Sequence, residues 1–382
     1  MRRVPSLLVL GLLLVACDSD SDSSEPFGDG EVPGEGAGAS GESGSDGAGF
    51  DPTGGDSGDG GDSGDPGDTG EGGDSGGDLP GSGGGDVEPG TLTAGVWDDN
   101  LNYDRFSAYR AAFLSGQAAG APAFETSEHD SAHEAGDPGA KQRLDVSLVI
   151  DTTGSMGDEI AYLQTEFDAL SSAIAQRYPD AEQRWSLVLY RDETDEYVVR
   201  WFDFRDDLQD FRDKLAGQEA SGGGDYPEAA DQGLEIANEL TWRADEDVAK
   251  LMFWVADAPH HDEDAGALAD TVRDARDQGV HIYPVASSGV DELTEFSMRS
   301  AAQLTAGRYI FLTDDSGVGA PHAEPTIPCY FVTKLDNAIL RMVDIELSGD
   351  YQEPDASDVV RVGGDVQDGA CILADGQMVT AF

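Results

Sequence analysis

The sequence predicts an α/β protein: a doubly wound, mostly parallel sheet with helices on both faces, preceded by a disordered acidic Gly/Ser/Asp linker. Three observations carry that expectation. From residue 144 onward, short apolar runs rich in β-branched residues alternate with segments of helical period, as in chains that wind helices over a parallel sheet. The first of these runs, 146–150 (VSLVI), is nearly unbroken and reads as a strand buried on both faces, ended by Asp151. Ahead of it, residues 18–90 have few large apolar side chains to bury.

In chain order, residues 1–17 (MRRVPSLLVLGLLLVAC) have two arginines followed by an apolar core too short to span a membrane, the form of a secretory signal. Leu14-Val15-Ala16-Cys17 resembles the lipobox of bacterial lipoproteins, in which the signal is cleaved before the cysteine and Cys17 carries the lipid. The resemblance implies a lipid-anchored protein of the bacterial cell envelope, at the outer membrane or cell surface in preference to the inner membrane. Asp18 does not choose the membrane, because the retention rule at that position varies between bacteria.

Residues 18–90 repeat Gly, Ser and Asp (GDSGDGGDSGDPGDTG), with about 20 acids and no Lys or Arg. Such a segment cannot offset its ordering entropy and reads as a stalk, roughly 45–50 Å end to end as a Gly-rich coil. Its Asp/Gly spacing matches neither an EF-hand loop nor a nonapeptide calcium repeat. Residues 91–143 read as an extension packing on the main domain. Within it, 104–114 places Phe106, Tyr109, Arg110 and Phe113 at helical spacing, whereas 116–139 reads as a loop carrying His129 and His133.

The main domain is expected over 144–347. After the first strand, 184–190 and 196–204 read as strands joined by a polar turn, a hairpin. A short helix at 206–215 follows, and then a helix at 228–240 behind the loop SGGGDYP, with Pro227 near its first turn. The remaining alternation is strand 250–256 ending at Asp257, helix 264–278 stopped by Gly279, strand 280–286, helix 291–305 and strand 308–313. A final helix is expected over 331–347, and the tail 348–382 has short apolar alternations that suit a hairpin.

The chemistry concentrates at 144–160, LDVSLVIDTTGSMGDEI. Asp151 ends the strand, Thr153 and Ser155 follow at alternate positions, and Asp158 and Glu159 fall in the first turn of the expected helix. One carboxylate and two hydroxyls at a strand end suit a hard divalent cation, and parallel sheets bind ligands at that end of their strands.

These residues, with GGGDYPE and WVADAP following in order, resemble the von Willebrand factor type A domain and its metal-ion-dependent adhesion site. The resemblance implies that Thr153 and Ser155 contact the metal directly and that Asp151 and Asp257 hold ligand waters. The loop threonine of the family is absent, and its place falls on Gly224 or Asp225, of which Asp225 is the expected ligand. A directly bound Asp225 would hold the ion more firmly and make it less demanding of a partner's carboxylate. Oxygen ligands favour Mg²⁺, then Mn²⁺ or Ca²⁺, over zinc. His260 and His261 beside Asp257 have no third ligand at zinc-like spacing.

Loops leaving the same strand ends should share one rim. On it, Asp314, Asp315, His322 and Glu324 are candidate contacts for a partner or a second cation, against the plainer reading of an ordered loop without a ligand. With Cys17 lipidated, Cys329 and Cys371 remain to pair in an oxidising compartment.

Seventy-seven acidic against 22 basic side chains, a formal charge of −55, argue against nucleic acid and anionic membrane surfaces as partners. The expected function is therefore a non-enzymatic, surface-anchored module that binds a divalent cation and engages an extracellular or periplasmic protein or glycan. Two alternatives stand beside it. In a haloacid-dehalogenase-like phosphohydrolase Asp151 would be the nucleophile, but the acid expected two residues on is Thr153. A structural envelope protein would use its metal only to stabilise the fold.

Overall fold

The computed structural model describes residues 28–34, 88–116, 119–136, 139–224 and 226–382. The expected signal with Cys17, most of the 18–90 linker and Asp225 lie outside those residues. Chain order begins with strands β1 (Gly30–Pro33) and β2 (Thr93–Trp97), then helices α1 (Tyr103–Gly116) and α2 (Thr126–Ala135). Strand β3 (Arg143–Asp151) leads through a 3-10 turn (Gly154–Asp158) to α3 (Ile160–Arg177), β4 (Gln183–Tyr190), β5 (Tyr197–Arg205) and α4 (Leu208–Ala216). Next come α5 (Ala230–Glu239), β6 (Val248–Ala256), α6 (Ala265–Asp277), β7 (His281–Ala286), α7 (Glu292–Leu304) and β8 (Tyr309–Leu312). The chain closes with β9 (Tyr330–Lys334), α8 (Leu335–Ser348), β10 (Arg361–Gly363), β11 (Ala370–Ile372) and β12 (Met378–Thr380).

Ten of these strands form one sheet in the order β1-β5-β4-β3-β6-β7-β8-β2-β9-β10. The central run β4-β3-β6-β7-β8 is parallel, and the strands outside it pair antiparallel. Parallel order is thus confined to the strands linked by crossover helices, as the expected doubly wound α/β fold requires. Strand β3 shows why the fold needs two layers. Its Val146, Leu148 and Ile150 pack with Leu163 and Phe167 of α3 on one face. Val149 turns to the other face, toward Leu234 of α5 and Leu268 of α6. Because side chains alternate along a strand, a strand buried on both faces must be apolar at nearly every position.

The structure corrects several expectations. The 91–143 extension does more than pack on the domain: β2 enters the sheet between β8 and β9, with all five residues buried. Gly95 permits this, because a Cβ there would come 2.2 Å from the Phe311 ring. The expected loop 116–139 contains α2, where a capping box between Glu125 and Glu128 offsets the nearby Gly and Pro. The start of the expected 331–347 helix is strand β9; its aromatic and β-branched run (YFVTK) finds a pairing edge on β2, and the helix begins only at Leu335. Within the linker, residues 28–34 are structured: β1 lies antiparallel on β5, with Glu31 on Arg200 (2.6 Å), Asp29 on Lys214 (2.9 Å) and Gly28 accepting from Trp201 Nε1 (2.7 Å). An unpaired sheet edge flanked by cations is what this acidic stretch needed in order to settle.

A disulfide joins Cys329 to Cys371, 42 residues apart. It anchors the β11–β12 hairpin of the tail ahead of β9, and by the chain-entropy model closing such a loop contributes about 4 kcal/mol. Acids near the amino ends of the parallel strands are met by internal cations. Asp99 accepts from Arg299 (2.7 and 2.9 Å) and from Trp97 Nε1 (2.9 Å), and Asp98 from Arg308 (2.9 Å). Asp145 lies between Arg184 (2.6 Å) and Arg243 (2.7 Å), and Glu346 meets His281 (2.7 Å).

Candidate metal centre

Strands β3 and β6 are neighbours whose following helices leave toward opposite faces, so a crevice opens beyond their carboxyl ends. Asp151 is the last residue of β3 and Asp257 the first beyond β6; both are buried. The Asp151 Oδ1 accepts from the Thr153 amide (2.9 Å) and the Thr153 hydroxyl (2.7 Å). The Thr153 and Ser155 hydroxyl oxygens are 3.2 Å apart. The D-x-T-x-S segment is therefore a single hydrogen-bonded unit with its oxygens gathered on one side.

The glycine-rich loop closes over this unit. The Gly154 amide donates to the Gly222 carbonyl (3.1 Å), and the Ser221 amide to the Thr152 carbonyl (2.9 Å). Gly223 has φ +74°, and a Cβ on it would come within 3.1 Å of Glu228 Oε1 and 3.2 Å of Thr153 Cβ. The left-handed backbone favours glycine there, and a Cβ would sit tightly between those two side chains. Asp195 Oδ2 accepts from the Gly223 amide (2.9 Å) and the Asp192 amide (3.1 Å), so the β4–β5 turn is tied to the same loop.

The electrostatics are those of acids crowded together. Burial pushes the Asp151 carboxyl up to about 7, with the charge of Asp257 adding to the effect. Burial likewise pushes Glu228 up to about 10, reinforced by Asp151, Asp192, Asp195 and Asp257. Asp151 Oδ2 and Glu228 Oε2 are buried and have no hydrogen-bond partner among the described residues. No group of three or more His, Cys, Asp or Glu side chains among the described residues forms a ready cage for a metal. What the crevice offers is two adjacent hydroxyls, a carboxylate with an unsatisfied oxygen and further negative charge close by. That donor set fits a hard divalent cation held partly by hydroxyls and water, and it does not fit a zinc cage.

Of the expected site residues, Asp151, Thr153, Ser155 and Asp257 come together at this crevice; Asp225 lies outside the described residues. The four rim residues divide differently from the expectation. Asp315 (2.9 Å) and Glu324 (2.6 Å) both pair with Arg361 of β10, so the tail supplies the cation that these acids attract. His322 bridges Asp314 (3.0 Å) and the buried Glu159 (3.1 Å), whose Oε1 also accepts from the Ser288 amide (3.2 Å). A second cation held by these four is therefore not supported. His260 and His261 also diverge: His260 Nε2 meets the Gly120 carbonyl (2.8 Å) and His261 Nε2 meets Asp192 (2.7 Å). His129 is buried against Gln303 and His133 stacks on Tyr103, so the two histidines of α2 have separate partners.

By sequence Glu228 is no more than the first residue of the expected 228–240 helix. The only local signal was an acid directly after Pro227, at a helix start where a carboxylate is unremarkable. Its burial comes from β6, since the Glu228 amide donates to the Pro259 carbonyl (2.9 Å).

Comparison with known proteins finds related stretches in larger molecules. An ariadne-like RING finger protein of Acanthamoeba polyphaga mimivirus is 35% identical over 124 residues, 31% of this chain and 11% of that protein. The alpha-protein kinase vwkA of Dictyostelium discoideum is 22% identical over 144 residues, 37% of this chain and 23% of that protein. The chain thus spans less than a quarter of the length of these relatives. Among solved structures, the conserved hypothetical protein BatB from Bacteroides thetaiotaomicron aligns with TM-score 0.34 and 14% identity, covering 44% of this chain and 89% of that one. The pilus adhesin SpaC from Lactobacillus rhamnosus GG, in its open conformation, aligns with TM-score 0.33 and 14% identity, covering 44% and 27%. A family model described as von Willebrand factor A domain matches residues 145–317, from β3 to just past β8, and the chain carries a von Willebrand factor A domain over those residues.

Proposed function

We propose that this is a non-enzymatic binding module that holds a divalent cation, Mg²⁺ first and Mn²⁺ or Ca²⁺ as alternatives, at the carboxyl ends of β3 and β6. Through that ion it engages an extracellular or periplasmic protein or glycan bearing an anionic group. The observation that carries the reading is the Asp151–Thr153–Ser155 unit, with one buried carboxylate oxygen left unsatisfied beside Asp257. Thr153 and Ser155 would supply direct oxygen ligands, Asp151 and Asp257 would hold and orient ligand waters, and Asp225 would take the place of the missing loop threonine. A bound cation would present positive charge to a partner's carboxylate. Asp151 Oδ1 is already occupied by two donors from Thr153, which favours an orienting role for this residue over a nucleophilic one. We further propose lipid attachment at Cys17, which would place the module in the bacterial cell envelope.

The test is calorimetric titration of the full chain with Mg²⁺, Mn²⁺ and Ca²⁺, beside Ser155→Ala. The expected result is one saturable site that Ser155→Ala weakens at least tenfold. An absence of saturable binding in the parent chain would overturn the cation reading and with it the ion-mediated capture of a partner. For the anchor, incorporation of labelled fatty acid into the parent chain but not into Cys17→Ser is expected; equal labelling of both would refute it.

A further inference from the structure

Several buried acids among the described residues are met by a base: Asp98 and Asp99 by Arg308 and Arg299, Asp145 by Arg184 and Arg243, Glu159 by His322 and Glu346 by His281. The group around Glu228 is open. Glu228 is only 2% exposed, yet its Oε2 has no partner among the described residues. Its other oxygen and the Thr153 side chain face the same point, the missing side chain of Gly223. Among the described residues no arginine or lysine pairs with Glu228, and the groups that act on it through space are carboxylates: Asp151, Asp192, Asp195 and Asp257. Beside it, His261 meets Asp192 (2.7 Å).

A buried carboxylate held among other carboxylates is strongly unfavourable unless a cation or a proton is present. The fold keeps it there with some care. The Glu228 amide is anchored to Pro259 beyond β6, and Gly223, at φ +74°, faces its carboxyl group without a side chain. We propose that Glu228 is a residue of the cation site, supplying anionic charge from the α5 side opposite Thr153 and Ser155. The inference rests on the cation reading above and deepens it. With Glu228 included, the site holds its ion with more negative charge than hydroxyls and water provide, so the ion is retained in the absence of a partner.

The experiment compares the full-length parent, Glu228→Gln and Ser155→Ala in two measurements: Mg²⁺ and Mn²⁺ affinity by calorimetry, and the thermal midpoint in EDTA. Glutamine keeps the shape and removes the charge. Glu228→Gln is expected to bind either ion at least tenfold more weakly while melting at a higher temperature than the parent in EDTA. If Glu228→Gln binds as tightly as the parent, Glu228 is only a structural acid and the inference falls, with the cation site intact. Absence of binding in the parent overturns both readings. Should Glu228→Gln fail to fold, Glu228→Asp withdraws the charge by one methylene; weakened binding supports the inference and unchanged affinity overturns it.

Discussion

The two ends of the parallel sheet treat buried acids in opposite ways. At the amino ends, Asp98, Asp99, Asp145 and Glu346 each face an arginine or a histidine. Burial alone would raise the Asp145 carboxyl, but Arg184 and Arg243 hold it below its ordinary value. At the carboxyl ends, burial raises the carboxyls of Asp151 and Glu228, and the nearby charge of Asp257 adds to both. One end carries its own counter-charges and is built for stability. The other gathers like charges that a proton or a divalent cation can relieve. The domain's net acidity is therefore not spread evenly in its consequences, although composition alone reports it as one number.

This contrast can be broken by substitution, and the largest effect is expected at the closed end. Asp99→Ala leaves Arg299 buried without its principal partner, and a loss of about 3–5 kcal/mol is expected in a urea unfolding curve. A change below 1 kcal/mol would mean that the pair is more solvated than its burial indicates. At the open end the sign should reverse. In EDTA at pH 8, Asp151→Asn removes charge from the cluster and should stabilise the chain, on the order of 1–3 kcal/mol. Destabilisation there would show that Asp151 has a compensating charge.

The pH dependence sharpens the same point. The folded carboxyl of Asp151 titrates near 7 against an ordinary 3.8. Because the folded state keeps its proton longer, the stability tied to this group is complete below about pH 4 and is lost as the pH rises toward 7. Urea midpoints measured across that window in EDTA should fall, and saturating Mg²⁺ should flatten the slope because the ion replaces the proton. The smallest effect belongs to the exposed strap. Glu31→Ala removes a half-exposed pair with Arg200 and should change stability by at most about 1 kcal/mol by the same unfolding assay.

Much of this architecture was legible in the residues. The β3 run ended by Asp151, the alternation that follows it, and the Cys329–Cys371 pairing all rest on local pattern or on simple elimination. The D-x-T-x-S unit is equally local, since its hydrogen bonds span two residues. What escaped is long-range. Nothing in TAGVW announces a strand that pairs with residues more than 200 positions away. Asp315 and Glu324 stand as candidate rim contacts in the sequence because Arg361, more than 35 residues on, cannot be placed beside them from sequence alone. Glu228 looked like a helix start because the β6 loop that buries it arrives later in the chain.

The sequence by itself determined the layers, the crevice-forming strand ends and the hydroxyl–carboxylate unit, because apolar periodicity and two-residue spacing are properties of neighbours along the chain. The tertiary structure alone decided which acids are compensated. A carboxylate's charge state depends on what lies within a few ångströms, and here those groups come from strands and loops tens to hundreds of residues apart.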